Sequence, residues 1–338
     1  MKRFAYAFVM AAFIGASAAP LNAGVLDQVK SKGFLQCGVS QGLPGFSNPD
    51  DRGNWTGLDV DVCRAIAVTI FNDPSKVKYT PLTTKDRFTA LQSGEVDLLS
   101  RNTTWTMSRD TSLGLNFAAV VYYDGQGYMV RKDKKVASAL ELGGASVCTQ
   151  TGTTTELNVA DFFRSRNMKY EIVSFTTSDE TIKAYDSGRC DVFTTDVSQL
   201  HSTKLKLAKP GDHVILPEII SKEPLGPVVR HGDDQWFDLV KWVIYAMINA
   251  EELGVHSKNV DEMLKSPNPE VKRLLGVEGK FGEALGLTND WVVRIVKRVG
   301  NYGEIFDRNV GAGSRLGIDR GLNKLWSKGG VQYAPPIR

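Results

Sequence analysis

The segment Gly57-Leu58-Asp59-Val60-Asp61-Val62-Cys63-Arg64-Ala65-Ile66-Ala67 predicts the start of an amphipathic helix that covers a β-sheet. Between Asp59 and Phe71, apolar side chains recur at helical spacing along one face. The strand-like run Leu35–Val39 precedes this helix and a second run, Lys78–Pro81, follows it. Together the three segments predict a strand-helix-strand unit.

The same alternation continues on both sides of this unit. Further segments with helix or strand patterns are 86–94 (helix), 96–100 (strand), 146–150 (strand), 154–166 (helix), 170–175 (strand), 179–188 (helix) and 190–194 (strand). This order predicts an α/β protein with mostly parallel sheets in two similar units. The extended runs Gln126–Arg131 and Pro227–Arg230 flank the second unit, as a chain that crosses into a second lobe and returns requires. After Gln235 the pattern is helical.

Composition excludes several classes of protein. The chain has 338 residues, 42% hydrophobic and 23% charged, with a formal net charge of +3. These values are ordinary for a globular protein long enough for two domains. The near-neutral balance, without long basic runs, predicts no nucleic-acid partner.

The first 23 residues have the order of a secretory signal peptide. Met1–Arg3 is basic, Phe4–Ala16 is apolar, and small residues follow. The apolar run is shorter than the ~20 residues of a membrane span. We expect cleavage after Ala23, with Ala18 or Ala19 as second choices and an uncleaved anchor as the alternative.

Four cysteines in an exported chain suggest disulfides. No two of them have Cys-x-x-Cys spacing, which argues against a zinc or redox site; they are Cys37, Cys63, Cys148 and Cys190. Three pairings are possible, and pairing within each half (Cys37 with Cys63, Cys148 with Cys190) is the simplest. The alternative is buried free thiols that act as small hydrophobes.

Catalytic motifs are scarce. The chain contains no Gly-x-Ser-x-Gly elbow, no His-Glu-x-x-His and no Walker loop, and none of its four histidines lies in a recognisable motif. Asp59 and Asp61 could suggest a metal site, but acidic residues at a helix start more simply satisfy free N–H groups. We therefore expect no catalytic residues, no metal and no cofactor.

Three polar features follow predicted strands. Gly152–Glu156 opens a helix, where hydroxyls and free N–H groups either hold an anion or form a simple cap with Glu156. Arg109 follows a polar run, Asn102–Thr106, and its guanidinium suits bidentate carboxylate binding; an ordinary salt bridge is the alternative. Asp196 ends the strand-like run Asp191–Thr195, at the position where open α/β sheets place ligands. A zwitterion would suit all three.

The segment quoted first resembles the signature of bacterial solute-binding protein family 3, the periplasmic receptors of polar amino-acid ABC importers. Residues 94–109, 152–156 and 187–196 keep the family's order and spacing. The long tail, with Arg308-Asn309, Arg320-Gly321 and Tyr333–Pro336, is similar to that of members with general L-amino-acid specificity.

The resemblance implies a two-lobed periplasmic binding protein fold of type II, with each lobe a mostly parallel sheet flanked by helices, joined by a two-strand hinge. We expect residues 1–23 to be the signal peptide and 123–221 the second lobe. Residues 24–122 and 222–338 would form the first lobe with a helical C-terminal extension.

The resemblance also implies ligand contacts. Arg109 would clamp the ligand α-carboxylate, helped by the Asn102 backbone and the Thr104 hydroxyl. Thr153 or Thr154 would add contacts from the other lobe.

Two further positions carry implied roles. Asp196 would accept the α-ammonium group, and Arg87 matches an arginine that contacts the side chain in glutamate-binding relatives.

Three positions depart from the family pattern. Ser40 stands where lysine and arginine binders carry an acid, and Leu43 and Thr84 replace aromatic residues. Because no acid is left for a cationic side chain, we expect a broad preference for acidic and neutral polar ligands, with Arg87 and Arg101 in the pocket.

The implied function is uptake of L-amino acids by hinge closure, without catalysis. Its implied partners are free L-amino acids and the inner-membrane ABC permease, and we expect a monomer. A cleft enzyme of the arogenate or prephenate dehydratase type is the alternative, but the ligand loops offer no spare Glu or His as acid or base. A sensor domain feeding a kinase is a third class, for which no fused signalling module is evident.

Overall fold

The computed structural model describes residues 23–338. The expected signal peptide up to residue 22 lies outside them. The strands are β1 (Leu35–Val39), β2 (Asn48–Pro49), β3 (Trp55–Thr56), β4 (Val77–Pro81), β5 (Leu98–Leu99), β6 (Leu115–Phe117), β7 (Tyr122–Asp124), β8 (Gln126–Arg131), β9 (Ser146–Gln150), β10 (Glu171–Phe175), β11 (Val192–Asp196), β12 (His213–Ile215), β13 (Glu223–Leu225) and β14 (Val228–Arg230).

The helices follow the segments with apolar residues at helical spacing. They are α1 (Val25–Lys32), α2 (Leu58–Phe71), α3 (Arg87–Ser93), α4 (Met107–Ser112), α5 (Thr154–Ser165), α6 (Ser178–Asp186), α7 (Val197–Lys204), α8 (Asp234–Glu252), α9 (Val260–Met263), α10 (Pro269–Leu274), α11 (Phe281–Ala284), α12 (Trp291–Arg298) and α13 (Tyr302–Asn309). No helix in the described part of the chain is both long and apolar enough to cross a membrane.

Two five-stranded sheets organise the molecule. The first has the order β4-β1-β5-β14-β6 and the second β10-β9-β11-β8-β12. In each sheet one strand, β14 or β8, runs antiparallel to its two neighbours, and the remaining pairings are parallel. The expected two-lobed, mostly parallel α/β architecture is therefore present, with one reversed strand in each lobe.

A short antiparallel pair, β7 with β13, joins the two sheets. The register places Tyr123 opposite Pro224. The extended runs singled out in the sequence, Gln126–Arg131 and Pro227–Arg230, lie just beyond this pair as strands of the sheets themselves. The chain crosses between the lobes in the shorter strands β7 and β13, which lie next to these runs. The expected lobe boundaries, at 122/123 and 221/222, fall at this pair and stay a prediction.

The C-terminal helices extend the first lobe. Helices α8 and α12 pack against α2, and α13 packs against α8 and α2. Trp236, Trp291 and Phe306 are among the side chains buried in the resulting core. This apolar core ties residues 260–338 to the helix that the signature segment begins.

The signature segment has a steric requirement at its first residue. Gly57 has φ 134°, and a Cβ there would collide with the carbonyl oxygen of Phe46. Only glycine meets both conditions, which allows the chain to turn tightly into α2.

The cysteines pair within each lobe. Cys37 of β1 is bonded to Cys63 of α2, and Cys148 of β9 is bonded to Cys190, which precedes β11. Each bond therefore fastens an inner strand of one sheet to a neighbouring element of the same lobe.

Candidate functional site

A cavity of about 240 Å³ lies between the two lobes. Its walls are mostly polar. From the first lobe it is lined by Ser40, Gln41, Gly42, Leu43, Thr84, Arg87, Arg101, Asn102 and Thr104, and from the second by Gln150, Thr153, Thr154, Thr155, Thr177, Ser178, Asp179, Thr195, Asp196 and Gln199.

The strand ends explain why these side chains meet. The segments that reach the cavity follow β1, β4 and β5 in the first lobe and β9, β10 and β11 in the second. These strands run parallel within each sheet, so their carboxyl ends meet at one edge, where open α/β sheets bind ligands.

Two helix N-termini point into the second-lobe side of the cavity. Thr153 caps α5 by accepting from the N–H of Glu156, and Thr177 caps α6 in a full capping box with Glu180. The positive ends of both helix dipoles therefore favour negative charge in the cavity. At α5 the Glu156 carboxylate accepts from the N–H of Gly152 rather than from the cap residue, so the expected capping box is only half formed.

Arg87 is a buried cation with weak partners. It is 3% exposed, and its two guanidinium contacts, to Thr103 Oγ1 and Gly152 O, are both long at 3.5 Å. Its Nε has no hydrogen-bond partner within the described residues. Burial, with the nearby charges of Arg101 and Arg109, lowers the pKa of Arg87 well below its usual value. An anion beside Arg87 would relieve this cost.

Asp196 provides the opposite charge from the second lobe. It ends β11, is 6% exposed, and its pKa is raised well above the usual value by burial and by the charges of Asp124 and Glu223. A ligand cation would stabilise its ionised form. The cavity thus has cationic groups on the first lobe and an acid on the second.

Arg109 lies at the edge of this arrangement. It is 8% exposed, and its Nη1 donates to the carbonyl oxygen of Thr104 at 2.8 Å. Both Arg109 and Arg87 lie against the ring of Phe88, at 5.2 and 4.7 Å from its centroid. Arg109 is absent from the described residues that line the cavity. The structure therefore places it one layer behind Thr104, facing the charges of Glu223 and Asp196.

Ser40 lies in the cavity wall with its hydroxyl already engaged. Its Oγ is 2.8 Å from Ser47 Oγ and 3.2 Å from the carbonyl oxygen of Ser47. These bonds close the loop after β1. Ser40 consequently shapes the wall and brings no charge to it.

The expected cap at the start of α2 is wrong. Gly57 occupies the N-cap position without a side-chain cap, and Asp59 Oδ2 instead accepts from the N–H of Asn102 at 2.9 Å. Asn102 has φ 33°, a left-handed conformation, so the Asp59 contact stabilises a strained turn in the cavity wall. Asp61 binds Arg308 and Asn309 of the C-terminal extension. The reason is packing: the first turn of α2 is buried, and both carboxylates are directed to distant partners.

Direct bonds cross the cleft between the lobes. Thr84 Oγ1 donates to the carbonyl oxygen of Thr151 at 2.7 Å, and Ser202 Oγ donates to that of Pro44 at 2.7 Å. Lys206 Nζ reaches the carbonyl oxygen of Gly42 at 2.6 Å. These contacts join the lobes into a closed form.

Several wall residues escaped the sequence analysis. They are Gln41, Gln150, Thr177, Ser178, Asp179 and Gln199. For Thr177–Asp179 a signal existed: a threonine followed three residues later by glutamate, after a predicted strand, marks a helix N-terminus at a strand end. The glutamines offer no such pattern.

Glu223 of β13 was also missed. It accepts from Thr154 Oγ1 at 2.9 Å and from Asn158 Nδ2 at 2.8 Å. Because it is 1% exposed and bonded on both oxygens, it supports the α5 end of the site.

Comparison with known proteins places this geometry in context. Residues 35–259 match the model for bacterial extracellular solute-binding proteins, family 3. The chain is 63% identical to the general L-amino acid-binding periplasmic protein AapJ of Rhizobium johnstonii, over 96% of this chain and 95% of that protein. It is 52% identical to the glutamate/glutamine/aspartate/asparagine-binding protein BztA of Rhodobacter capsulatus, over the full length of both.

A solved structure is equally similar. The ABC transporter periplasmic binding protein of Brucella ovis with glutathione bound is 62% identical, with a TM-score of 0.92 over 94% of this chain and 100% of that one.

Proposed function

Because the chain belongs to the bacterial extracellular solute-binding proteins of family 3, we propose that it is the substrate-binding component of an ABC importer for L-amino acids. It binds and carries its ligand and performs no catalysis. Its relatives are transport receptors, so the dehydratase alternative has no support.

The observation that carries this proposal is the distribution of charge across the cleft. Arg87 and Arg109 belong to the first lobe and Asp196 to the second. A zwitterion placed between them pairs its carboxylate with one lobe and its ammonium with the other. Neither lobe alone supplies both partners, so the ligand gains its full set of contacts only in the closed form.

Roles for individual residues follow from this arrangement. Arg109 and the Asn102–Thr104 turn receive the α-carboxylate, with Thr153 and Thr154 at the α5 N-terminus. Asp196 receives the α-ammonium. In this scheme Arg109 is a direct carboxylate ligand, because its bond to the Thr104 carbonyl uses only one N–H of a guanidinium that has five.

Selectivity depends on the remaining wall. Arg87 has unused donor capacity at Nε, which favours a side-chain carboxylate or carboxamide. The wall carries hydroxyls and amides beyond it, and water bridging to such groups tolerates ligands of different length. We therefore propose broad specificity with acidic and neutral polar amino acids preferred.

A second ligand class is supported by the extent of the cavity wall. Besides Asp196, the wall includes Thr177–Asp179 at the α6 N-terminus. A γ-glutamyl peptide such as glutathione, which is bound in the Brucella ovis relative, presents the same α-amino and α-carboxylate groups as glutamate. Its remaining residues would extend toward α6.

Partners and location complete the proposal. The closed form would be recognised by the inner-membrane permease, and the protein would act in the periplasm as a monomer, with cleavage after Ala23.

Calorimetry tests the proposal directly. The protein is unfolded, freed of co-purified ligand, refolded and titrated with the twenty L-amino acids and with glutathione. We expect binding of many L-amino acids, with Glu, Asp, Gln and Asn strongest and Lys and Arg weaker. The proposal would be refuted if the protein bound none of these ligands, or if it turned over prephenate or arogenate in a steady-state assay.

A further inference from the structure

The outer edge of hinge strand β7 is held by a side chain of the C-terminal extension. Tyr123 and Pro224 form a non-hydrogen-bonded pair of the antiparallel register, because Pro224 has no N–H and its carbonyl accepts from the N–H of Trp105. The N–H and carbonyl of Tyr123 therefore point away from β13, and Asn323 binds both: its Oδ1 accepts from the Tyr123 N–H at 2.7 Å and its Nδ2 donates to the Tyr123 carbonyl oxygen at 3.1 Å. One amide thus replaces a neighbouring strand.

Two further side chains of the extension bind the residues just before β7. Tyr302 donates its hydroxyl to the carbonyl oxygen of Val121 at 2.8 Å, and Gln332 donates to that of Val120 at 3.3 Å. Gln332 also donates to the Tyr302 hydroxyl at 3.0 Å. Asn323, Tyr302 and Gln332 are 3%, 1% and 1% exposed, so water does not compete for these bonds.

The first lobe anchors these contacts. Arg320 forms a bidentate ion pair with Glu251 of α8, at 2.6 and 3.0 Å. Its guanidinium also lies over the rings of Tyr302 and Phe306, at 5.3 and 5.1 Å from their centroids. The segment that binds β7 is therefore fixed to the body of the first lobe.

The other hinge strand is tied to the second lobe. Glu223 of β13 accepts from Thr154 and Asn158 of α5. Both strands are also bound from the other side: Pro224 of β13 accepts from Trp105 of the first lobe, and Asp124 of β7 accepts from the N–H of Ser198 of the second. The extension adds a further set of bonds to β7 alone.

We propose that the C-terminal extension is a hinge brace that sets ligand affinity by fixing β7 in the conformation of the closed form. The family model ends at residue 259, so the brace is an addition to the common core. Without the brace, the free energy of ordering β7 adds to the free energy of closure. This added free energy is the same for every ligand, because the brace touches none of them. This inference rests on the proposed function, in which ligand binding closes the lobes.

The test compares two asparagines of the extension, the buried Asn323 and the half-buried Asn309. Asn323→Ala removes both bonds to Tyr123. Asn309→Ala is the matched control, because the Asn309 amide also makes two bonds, to Asp61 and to the carbonyl oxygen of Ile305, but none to the hinge. Calorimetry with L-glutamate and L-alanine measures affinity, and small-angle X-ray scattering of the ligand-free proteins measures the spread of lobe arrangements.

For Asn323→Ala we expect affinity about tenfold weaker, by the same factor for both ligands, together with a broader ligand-free ensemble. Asn309→Ala should bind like the wild type. Gln332→Ala removes the bonds to Val120 and to the Tyr302 hydroxyl but leaves Tyr302 able to bind Val121. It should show the same uniform loss at smaller size, and it carries the test if Asn323→Ala does not fold.

Two results would overturn the brace. One is wild-type affinity and scattering in both hinge variants; the other is a loss confined to one ligand. If the proposed function is wrong, the wild type will bind neither amino acid. In that case, scattering of the ligand-free variants still tests the brace without any ligand.

Discussion

At the scale of single residues, buried charges divide the site into groups with distinct tasks. Arg87 has weak protein partners, whereas Arg101 donates from Nε to the carbonyl oxygen of Leu82 at 3.0 Å and interacts with the charge of Asp59. Arg109 holds the carbonyl of Thr104. Of the three, Arg87 has the longest contacts and a buried Nε without a partner among the described residues, so it should govern selectivity.

Arg87→Ala should weaken the binding of L-glutamate by roughly tenfold to a hundredfold, as expected for loss of one charge-assisted bond. The affinity for L-alanine, which places no charge near Arg87, should change little. Lys85→Ala removes an exposed cation two residues away. It therefore controls for a general change in the electrostatic potential near the site. Calorimetry supplies the affinities, and an equal loss for both ligands would make Arg87 structural.

Arg109→Ala should weaken the binding of every L-amino acid by about a hundredfold or more, because the ligand's α-carboxylate is left buried without its partner. An amino-acid α-amide separates this role from support of Thr104. If the variant weakens the α-amide and the amino acid by the same factor, Arg109 holds the turn and does not touch the carboxylate.

Asp59 should make stability depend on pH. Burial raises its pKa to about 7, against a usual value of 3.8. The unfolded chain therefore ionises Asp59 at lower pH than the folded protein does, and its contribution to stability, full below pH 4, declines as pH rises from about 4 to 7.

Asp59→Asn lacks this titration and keeps an oxygen for the Asn102 N–H. Its free energy of unfolding relative to the wild type should rise by on the order of a few kcal/mol between pH 4 and 7 and then level off. Urea denaturation across that range measures the difference. A constant difference would show that Asp59 ionises at its usual pH.

At the scale of secondary-structure elements, helix N-termini and disulfides fix the walls of the site. The N-termini of α5 and α6 face the cavity, and the Cys148–Cys190 bond holds the strand before α5 to the segment that leads into β11. The elements that present Thr153 and Asp196 are thereby connected covalently.

Reduction of either disulfide should lower the free energy of unfolding by roughly 3 to 4 kcal/mol, because the unfolded chain regains loop entropy. Paired Cys→Ala variants for each bond, melted beside the oxidised protein, measure the two contributions. Non-reducing peptide mapping of exported protein should yield Cys37 with Cys63 and Cys148 with Cys190. A link between the two halves would contradict the assignment of lobes.

At the scale of the whole molecule, closure is stabilised by contacts that do not touch the cavity centre. Lys206 and Ser202 of the second lobe bind the loop Gly42–Pro44 of the first. These bonds are made only when the lobes approach, so they stabilise the closed form for any ligand.

Lys206→Ala should weaken all amino acids by about three- to tenfold, mainly through faster dissociation. Stopped-flow displacement measures this rate. Lys209→Ala, an exposed lysine in the same loop, is the control and should dissociate like the wild type. A ligand-dependent effect of Lys206→Ala would instead place its ammonium group in direct contact with the ligand.

Three features can be predicted from the residues alone: the alternation of strands and helices, the two-lobed architecture, and the polar residues at strand ends. Periodicity encodes which face of an element is buried, and parallel topology then brings strand ends together. This local information was enough to single out the polar run that contains Asn102 and Thr104, and Asp196, all of which line the cavity. Arg87, which also lines it, was identified through the family resemblance.

The distant partners of each side chain depend on the packing of the folded chain. Asp59 has the residue type and position of a helix cap, yet it binds Asn102. Asn323 ends a short 3-10 helix, Gly321–Asn323, with no motif, yet it completes the edge of β7, 200 residues earlier in the chain. Such contacts depend on how elements pack, since a buried polar group takes whichever partner packing brings within reach, and no periodicity along the chain encodes that distance.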